Sequence, residues 1–340
     1  MSGEIIRKPK YDMIVVETFR KLVERGKKRM TSIAIIGTGV VGERIINQAL
    51  ASEHYTIPFI YDENKERLQA MSEKYKVPAA ESLEQLLEEG ADWVYIGTPP
   101  VSHAPLAEKI AAKGYHILSE KPLAHDAADG EMMVKVAAQA NVQTAMHFPM
   151  MYSAVVQDTK ALLASEQLGE IQRIELHTYF PHWPRKWQQN PWIASREQGG
   201  FIREIFPHYL QVLHHLFGDL EIHAHQTAYP VDETLCETGV TAIGRTTTGN
   251  IPVVLNAVAN VGQEERIDFK IFGDQKVVSI RNWAELWIGE KDEPLKQVAT
   301  VSQPYNLLEA CRRLIEGEET FVVPFEEGLK IQRWIDELLK

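Results

Sequence analysis

The chain has 340 residues, 44% of them apolar and 24% charged, which excludes a disulfide-stapled miniprotein, a collagen-like chain and a disordered tail. Its net charge of −11 divides unevenly: residues 1–30 hold nine basic and four acidic side chains, so the remaining body carries −16. An acidic body repels phosphate backbones and anionic lipid, which argues against nucleic acid and membrane as principal partners.

Two cysteines, Cys236 and Cys311, lie 75 residues apart with no CxxC spacing, as expected of a protein from a reducing, cytoplasmic compartment. No run reaches the roughly 20 apolar residues that span a bilayer. Within residues 1–30, Ile14, Val15, Phe19, Leu22 and Val23 recur at helical spacing and predict a short basic amphipathic extension ending near Gly26. From Ser32 to His147, short apolar runs alternate with helical stretches. Strands are expected at 32–36, 57–61, 93–96, 116–118 and 143–147, with helices between them. This rhythm predicts an α/β domain over 31–148, a doubly wound parallel Rossmann sheet. A helix at 152–164 follows, and then strands dominate: 173–180, 221–229, 235–244, 253–260, 266–272 and 277–281. Residues 149–340 are therefore expected to form an α+β domain with a largely antiparallel open sheet, closed by helices at 307–316 and 325–339. The last helix could fold back onto the first domain.

The first strand runs into Gly37-Thr38-Gly39-Val40-Val41-Gly42, a G-x-G-x-x-G that opens a helix. The glycines permit a tight turn, close approach of a pyrophosphate and close helix–strand packing, and the helix N-terminus adds partial positive charge. Asp62 ends the next strand, 20 residues past Gly42, where a carboxylate accepts hydrogen bonds from ribose hydroxyls. It favours NAD(H) over NADP(H), although Lys65 and Arg67 follow closely. After the third strand comes Thr98-Pro99-Pro100-Val101-Ser102-His103, and after the next comes Glu120-Lys121-Pro122-Leu123-Ala124. Such strand ends face the cofactor crevice. Farther on, Gly199-Gly200-Phe201-Ile202-Arg203-Glu204-Ile205-Phe206-Pro207-His208 places a carboxylate and an imidazole at i and i+4.

In these segments the chain resembles the glucose-fructose oxidoreductase and inositol dehydrogenase (Gfo/Idh/MocA) family over residues 31–340. The resemblance implies hydride transfer between NAD(P) and a small hydroxyl or carbonyl substrate, usually a sugar or polyol. It also implies oligomer contacts, as a dimer or tetramer, through the C-terminal sheet. It makes Lys121 the lysine near substrate and nicotinamide, His208 the acid/base and Glu204 their partner, where the family usually has Asp. Thr98, Pro99, His103 and Glu120 join Gly37 to Gly42, Asp62 and Lys121 as expected cofactor contacts. Met146-His147-Phe148 stands where the family commonly has an Asn-x-Arg-Phe type of segment, and His147 is expected to touch substrate. Phe206 stands where a small residue is usual.

One loop is peculiar to this chain: His182, Trp183, Pro184, Arg185, Lys186, Trp187 and Trp192 fall within eleven residues. Arg185, Trp187 and Trp192 are candidates for holding a planar or anionic substrate, and a packing or oligomer-contact role fits the same residues equally. The remaining histidines form no ligand set, so no metal is expected. A non-sugar substrate (an imine, a keto acid or a biosynthetic intermediate) and a non-catalytic NAD-binding regulator are the competing functional readings.

Overall fold

The computed structural model describes residues 29–188 and 190–340; the basic N-terminal extension lies outside them. Strand β1 (Thr31–Ile36) is almost wholly buried, and α1 (Val40–Leu50) lays Gly42, Ile45, Ile46 and Ala49 against the sheet at helical spacing. The next strand is broken around Pro58 into β2 (Tyr55–Thr56) and β3 (Ile60–Tyr61), both parallel to β1. Helix α2 (Lys65–Tyr75) is capped by Asn64, and α3 (Leu83–Glu89) by Ser82, each side chain accepting a backbone N–H in the first turn. Then follow β4 (Trp93–Ile96), α4 (His103–Ala112), β5 (His116–Ser119), α5 (Ala127–Ala140) and β6 (Thr144–Met146). All pairs in this sheet are parallel, and its order is β2/β3, β1, β4, β5, β6. Every strand therefore ends on the same edge, and the loops after β1, β4, β5 and β6 share one crevice.

Helix α6 (Ala154–Ala164) leads to the long strand β7 (Ile171–Phe180). A loop and the single turn α7 (Phe201–Glu204) introduce α8 (Phe206–Phe217), whose Pro207 sits in the first turn, where a missing N–H costs nothing. The second sheet adds β8 (Leu220–Ala228), β9 (Gly239–Thr246), β10 (Pro252–Ala259), β11 (Arg266–Gly273), β12 (Lys276–Arg281), β13 (Glu285–Glu290) and β14 (Lys296–Val298). Its order is β14-β13-β12-β11-β7-β10-β9-β8, antiparallel throughout except for the parallel pair β7–β10. The period-2 burial of β10, with Val253, Leu255, Ala257 and Ala259 inward, shows one face against the core and the other open.

Two strands at one end of this sheet, β13 and the edge strand β14, are additional to the sequence expectation. The strand expected from Leu235 begins only at Gly239, because residues 231–238 loop back towards Ser195. Helices α9 (Leu307–Ile315) and α10 (Phe325–Leu338) join the two layers. Tyr55 Oη donates to the Leu308 carbonyl at 2.5 Å, and Asp336 accepts from the Ala127 N–H at 2.7 Å. Helix α10 packs on α5 and β6 on one side and on α8 on the other, so the last helix lies back on the first sheet.

Candidate active site

At two of its three glycines the loop has no room for a side chain. A Cβ on Gly37, which has φ +92°, would fall 2.5 Å from the Gly97 carbonyl oxygen, and one on Gly42 would fall 2.0 Å from that of Gly37. Gly39 differs: its Cβ would meet only an Arg67 guanidinium nitrogen, at 3.8 Å, so the turn is open on that side. No side chain caps α1, which leaves its first N–H groups to a ligand. Val40 is largely exposed at the mouth, and Val41 is half-buried behind it. This cradle fits a dinucleotide pyrophosphate.

Asp62 is buried, and Oδ2 accepts both the N–H and the hydroxyl of Thr38, at 2.8 and 2.9 Å. Oδ1 accepts the Asn64 N–H at 2.8 Å, and Arg67 stands 3.5 Å away. The carboxylate therefore braces the glycine loop, and a cation stands beside the place where an adenosine ribose would lie.

The loop after β4 turns through Thr98, whose hydroxyl accepts from Ser102 at 2.6 Å, and the exposed Pro99. His103 is a correction to the sequence expectation. It is fully buried, with ring nitrogens 2.8 Å from the Thr98 carbonyl and 3.1 Å from the Leu123 carbonyl. It ties two crevice loops together, with both ring nitrogens taken up by backbone carbonyls.

Glu120 and Lys121 follow β5 and point to different partners. Glu120 Oε1 accepts the Tyr95 hydroxyl at 2.7 Å and also the His147 Nδ1–H, and Oε2 accepts the Lys121 N–H at 3.3 Å. Burial alone would lift this carboxyl; the His147 and Tyr95 contacts and nearby Lys121 outweigh it and hold Glu120 at about 2. Lys121 Nζ reaches across to the second layer, donating to the Glu204 side-chain and backbone oxygens at 3.2 Å each. Both side chains are nearly out of solvent, at 13% and 15% exposure.

The glycine pair before Glu204 has a structural cause. A Cβ on Gly200 (φ +96°) would collide with the buried Glu237 carboxylate, whose Oε1 accepts the Ile202 N–H at 2.7 Å and so caps α7. His208 sits in the first turn of α8 with its Nδ1 unpartnered. Burial, with Lys121 and Arg185 nearby, pushes its pKa well below 6.5, so the ring is neutral.

The tryptophan-rich loop divides. Arg185 lies over the faces of Phe180, Trp183 and Trp283, at 5.2 to 5.9 Å, and pairs with Glu265 at 2.8 Å. Trp183 packs on Phe180 and Phe201 as part of the core. Trp187 is 64% exposed and Trp192 half-buried, and neither takes part in the ring contacts around His208, so the structure does not bring these two to the site.

Sequence reasoning missed Trp283. It turns the β12–β13 hairpin with φ +78°, beside Asn282 at +46°, a conformation rare for a bulky residue. Its ring meets His208 edge-on at 5.2 Å and Tyr209 at 5.6 Å. The one legible signal was an asparagine directly after the strand expected at 277–281. A cleft of about 580 Å³ opens beside this wall, lined by His147, Tyr152, Ser153, Ala284, Tyr305 and Asn306 among others.

A glycine-rich crevice on a parallel sheet, faced by a lysine–carboxylate pair and an imidazole from a second sheet layer, defines a two-layer protein built on a dinucleotide-binding type of sheet. The chain belongs to the Gfo/Idh/MocA family. Residues 31–148 match the oxidoreductase family's NAD-binding Rossmann fold, and residues 156–279 match the GFO/IDH/MocA C-terminal domain. Among curated relatives, the dTDP-3,4-didehydro-2,6-dideoxy-alpha-D-glucose 3-reductase of Streptomyces violaceoruber is 26% identical over 176 residues, covering 51% of each chain. The chain thus spans about half the length of the curated relatives it matches. Among solved structures, the WlbA dehydrogenase from Bordetella pertussis, in complex with NADH and UDP-GlcNAcA, has TM-score 0.77 at 20% identity, covering 91% of this chain and 94% of its own. KijD10, a 3-ketoreductase from Actinomadura kijaniata with NADP and TDP-benzene, has TM-score 0.78 at 18% identity, covering 91% and 97%. At these identities the structural likeness is one of fold.

Proposed function

We propose that this chain is an NAD(P)-dependent dehydrogenase or reductase that moves a hydride between the nicotinamide and the hydroxyl or carbonyl carbon of a small polar substrate, a sugar, polyol or derivative. The observation that carries this reading is Lys121: its ammonium bridges the cofactor-crevice loop and Glu204 of the second layer, 3.2 Å from the carboxylate. When bound, the nicotinamide supplies the hydride acceptor or donor. Lys121 then donates a hydrogen bond to the substrate oxygen as negative charge develops there, exchanging part of its contact with Glu204 for that oxygen. His208, neutral and walled by Phe148 and Trp283, presents an uncharged imidazole to the same oxygen. Arg185 borders this wall and favours substrates with an anionic or electron-rich group.

The finer points follow from residues already placed. NAD is the preferred cofactor, because the Asp62 carboxylate stands at the end of β3; Arg67 offsets that charge and keeps the preference modest. Residues 31–148 act as the cofactor unit and residues 149–340 as the substrate and assembly unit. The open face of the second sheet lines up Ile243, Val254 and Glu175 across three strands, with Val258 beside Tyr179, and this partly apolar face supports a homodimer or homotetramer. Among the described residues no helix is long and apolar enough to cross a membrane. The free, buried Cys236 and Cys311 fit a cytoplasmic setting.

The test is NAD(P)H turnover by the purified protein on a panel of sugars, polyols and their oxidised forms. Lys121→Met lowers kcat/KM by about 10² or more on any substrate found. Activity within a few-fold of the parent would remove Lys121 from the chemistry, and silence of the parent across the panel would sink the reading.

A further inference from the structure

A second imidazole borders the site, and it is built differently from His208. Tyr95 lies on β4, Glu120 follows β5 and His147 follows β6, so three adjacent parallel strands deliver a continuous buried chain of hydrogen bonds. Glu120 is ionised and can only accept, so the proton on the shared edge of the ring belongs to His147 Nδ1. In its uncharged form the ring then carries its lone pair on Nε2. Among the described residues no hydrogen bond occupies that atom, and His147 lines the 580 Å³ cleft. The cleft adjoins the Lys121 site: Phe148 meets the His208 ring at 6.1 Å, and Ala284 follows Trp283, which packs on the same ring.

Resting on the hydride-transfer reading, we propose that His147, oriented by Glu120 and Tyr95, is the acid/base at which the substrate proton is stored. His208 is unsuited to hold it, because its burial and the positive charge of Lys121 outweigh the pull of the Glu120 carboxylate, with which it makes no hydrogen bond among the described residues. At His147 the added positive charge lies against the Glu120 carboxylate. In oxidation, the substrate C–H bond breaks and its hydrogen leaves with the electron pair to the nicotinamide. The O–H bond breaks, its proton passes to His147 Nε2, and the electrons of that bond complete the C=O. In reduction each transfer runs backwards. The groups facing His147 are Tyr95 and Glu120 from the sheet, Lys121 beside them, His208 from α8, and Tyr152 and Tyr305 from the cleft wall. Glu120 and Tyr95 are positioning residues; of these three only His147 meets the reacting oxygen.

One arm of the test needs no substrate. In protein labelled with ¹⁵N-histidine, long-range correlation at neutral pH finds a ring protonated at Nδ1 and bare at Nε2, and its downfield proton is lost in both His147→Asn and Glu120→Gln. A His147 ring bare at Nδ1 overturns the proposal. In the other arm, His147→Asn lowers kcat by about 10² or more with KM within about threefold, the range for a lost acid/base. Glu120→Gln displaces the acid limb of the kcat–pH profile. Retained NADH binding marks the variants as folded; should His147→Asn fail to fold, Tyr95→Phe, which removes one hydroxyl from Glu120, produces a smaller displacement of the same limb. A His147→Asn kcat within threefold of the parent overturns the proposal and leaves hydride transfer standing. Absence of hydride transfer in the parent overturns both.

Discussion

Glu120→Gln has an effect on stability whose size and pH dependence can be worked out in advance. Glutamine keeps the volume and an acceptor for Tyr95 but removes the charge that meets His147. A carboxyl held at about 2 in the folded protein and 4.5 when free is stabilised by about 3 kcal/mol at neutral pH. The sign follows from the depressed folded value: the contribution is fully present above 4.5 and disappears as pH falls from 4.5 towards 2. Urea unfolding of the cofactor-free protein therefore shows the variant less stable by about 3 kcal/mol at pH 7, with the gap narrowing to about 1 kcal/mol near pH 3. A gap that stays constant between pH 7 and 3 would refute the assignment of an ionised, hydrogen-bonded Glu120. A gap near zero at pH 7 would refute it as well.

Three further outcomes follow from the geometry. Gly42→Ala drives a methyl into the Gly37 carbonyl and weakens NADH binding, read by fluorescence titration, by at least about tenfold, or 1.4 kcal/mol; an unchanged Kd would mean the glycine loop does not hold the pyrophosphate. Arg67→Ala lowers affinity for NADPH relative to NADH by about tenfold, the size of one charge-assisted hydrogen bond, whereas equal losses for the two cofactors would place Arg67 away from the ribose. Trp283→Ala removes the cover over His208, so the His208 pKa measured by NMR rises towards 6.5, burial being the largest cause of its depression. The same substitution costs about 3 kcal/mol of stability, and a His208 titration identical to the parent's would show that other groups keep water from the ring.

The parts that sequence exposed best are those whose physics is local. Period-3.6 and period-2 patterning placed the strands and helices of the parallel sheet. The glycine hexapeptide was legible because steric demand at Gly37 and Gly42 is met within a few residues and the facing Gly97 loop. The EKP segment was equally legible, but where its residues point was not. Lys121 and Glu204 are 83 positions apart, and Tyr95, Glu120 and His147 are neighbours only because β4, β5 and β6 lie side by side. Alternation reveals a strand but not its partner, so the parallel pairing of β7 with β10 within an otherwise antiparallel sheet was hidden for the same reason. His103 misled because its motif position is beside the crevice while its ring turns inward to two carbonyls. Trp187 misled because a Trp/Arg-rich loop reads identically whether its side chains face a ligand, the core or solvent.

The site's charges explain why two histidines with opposite surroundings occur together. Lys121 must remain a cation to stabilise a developing alkoxide, and a cation disfavours protonation of any imidazole beside it. His208 accordingly stays neutral and can approach the substrate oxygen without competing with Lys121. The proton still needs a place, and it costs least where a negative charge is already buried and committed. Glu204 cannot supply that charge, since its carboxylate is engaged by Lys121 itself. Glu120 can, because Tyr95 and the Lys121 N–H fix it on the far side of the crevice and His147 stands between it and the cleft. Environments that push neighbouring titratable groups apart separate the roles of polarising cation, neutral contact and proton store. Exchanging the environments, for example by placing a carboxylate beside His208 through Phe148→Asp, would raise the His208 pKa and draw Lys121 away from the substrate oxygen, so activity would fall even though both histidines remain.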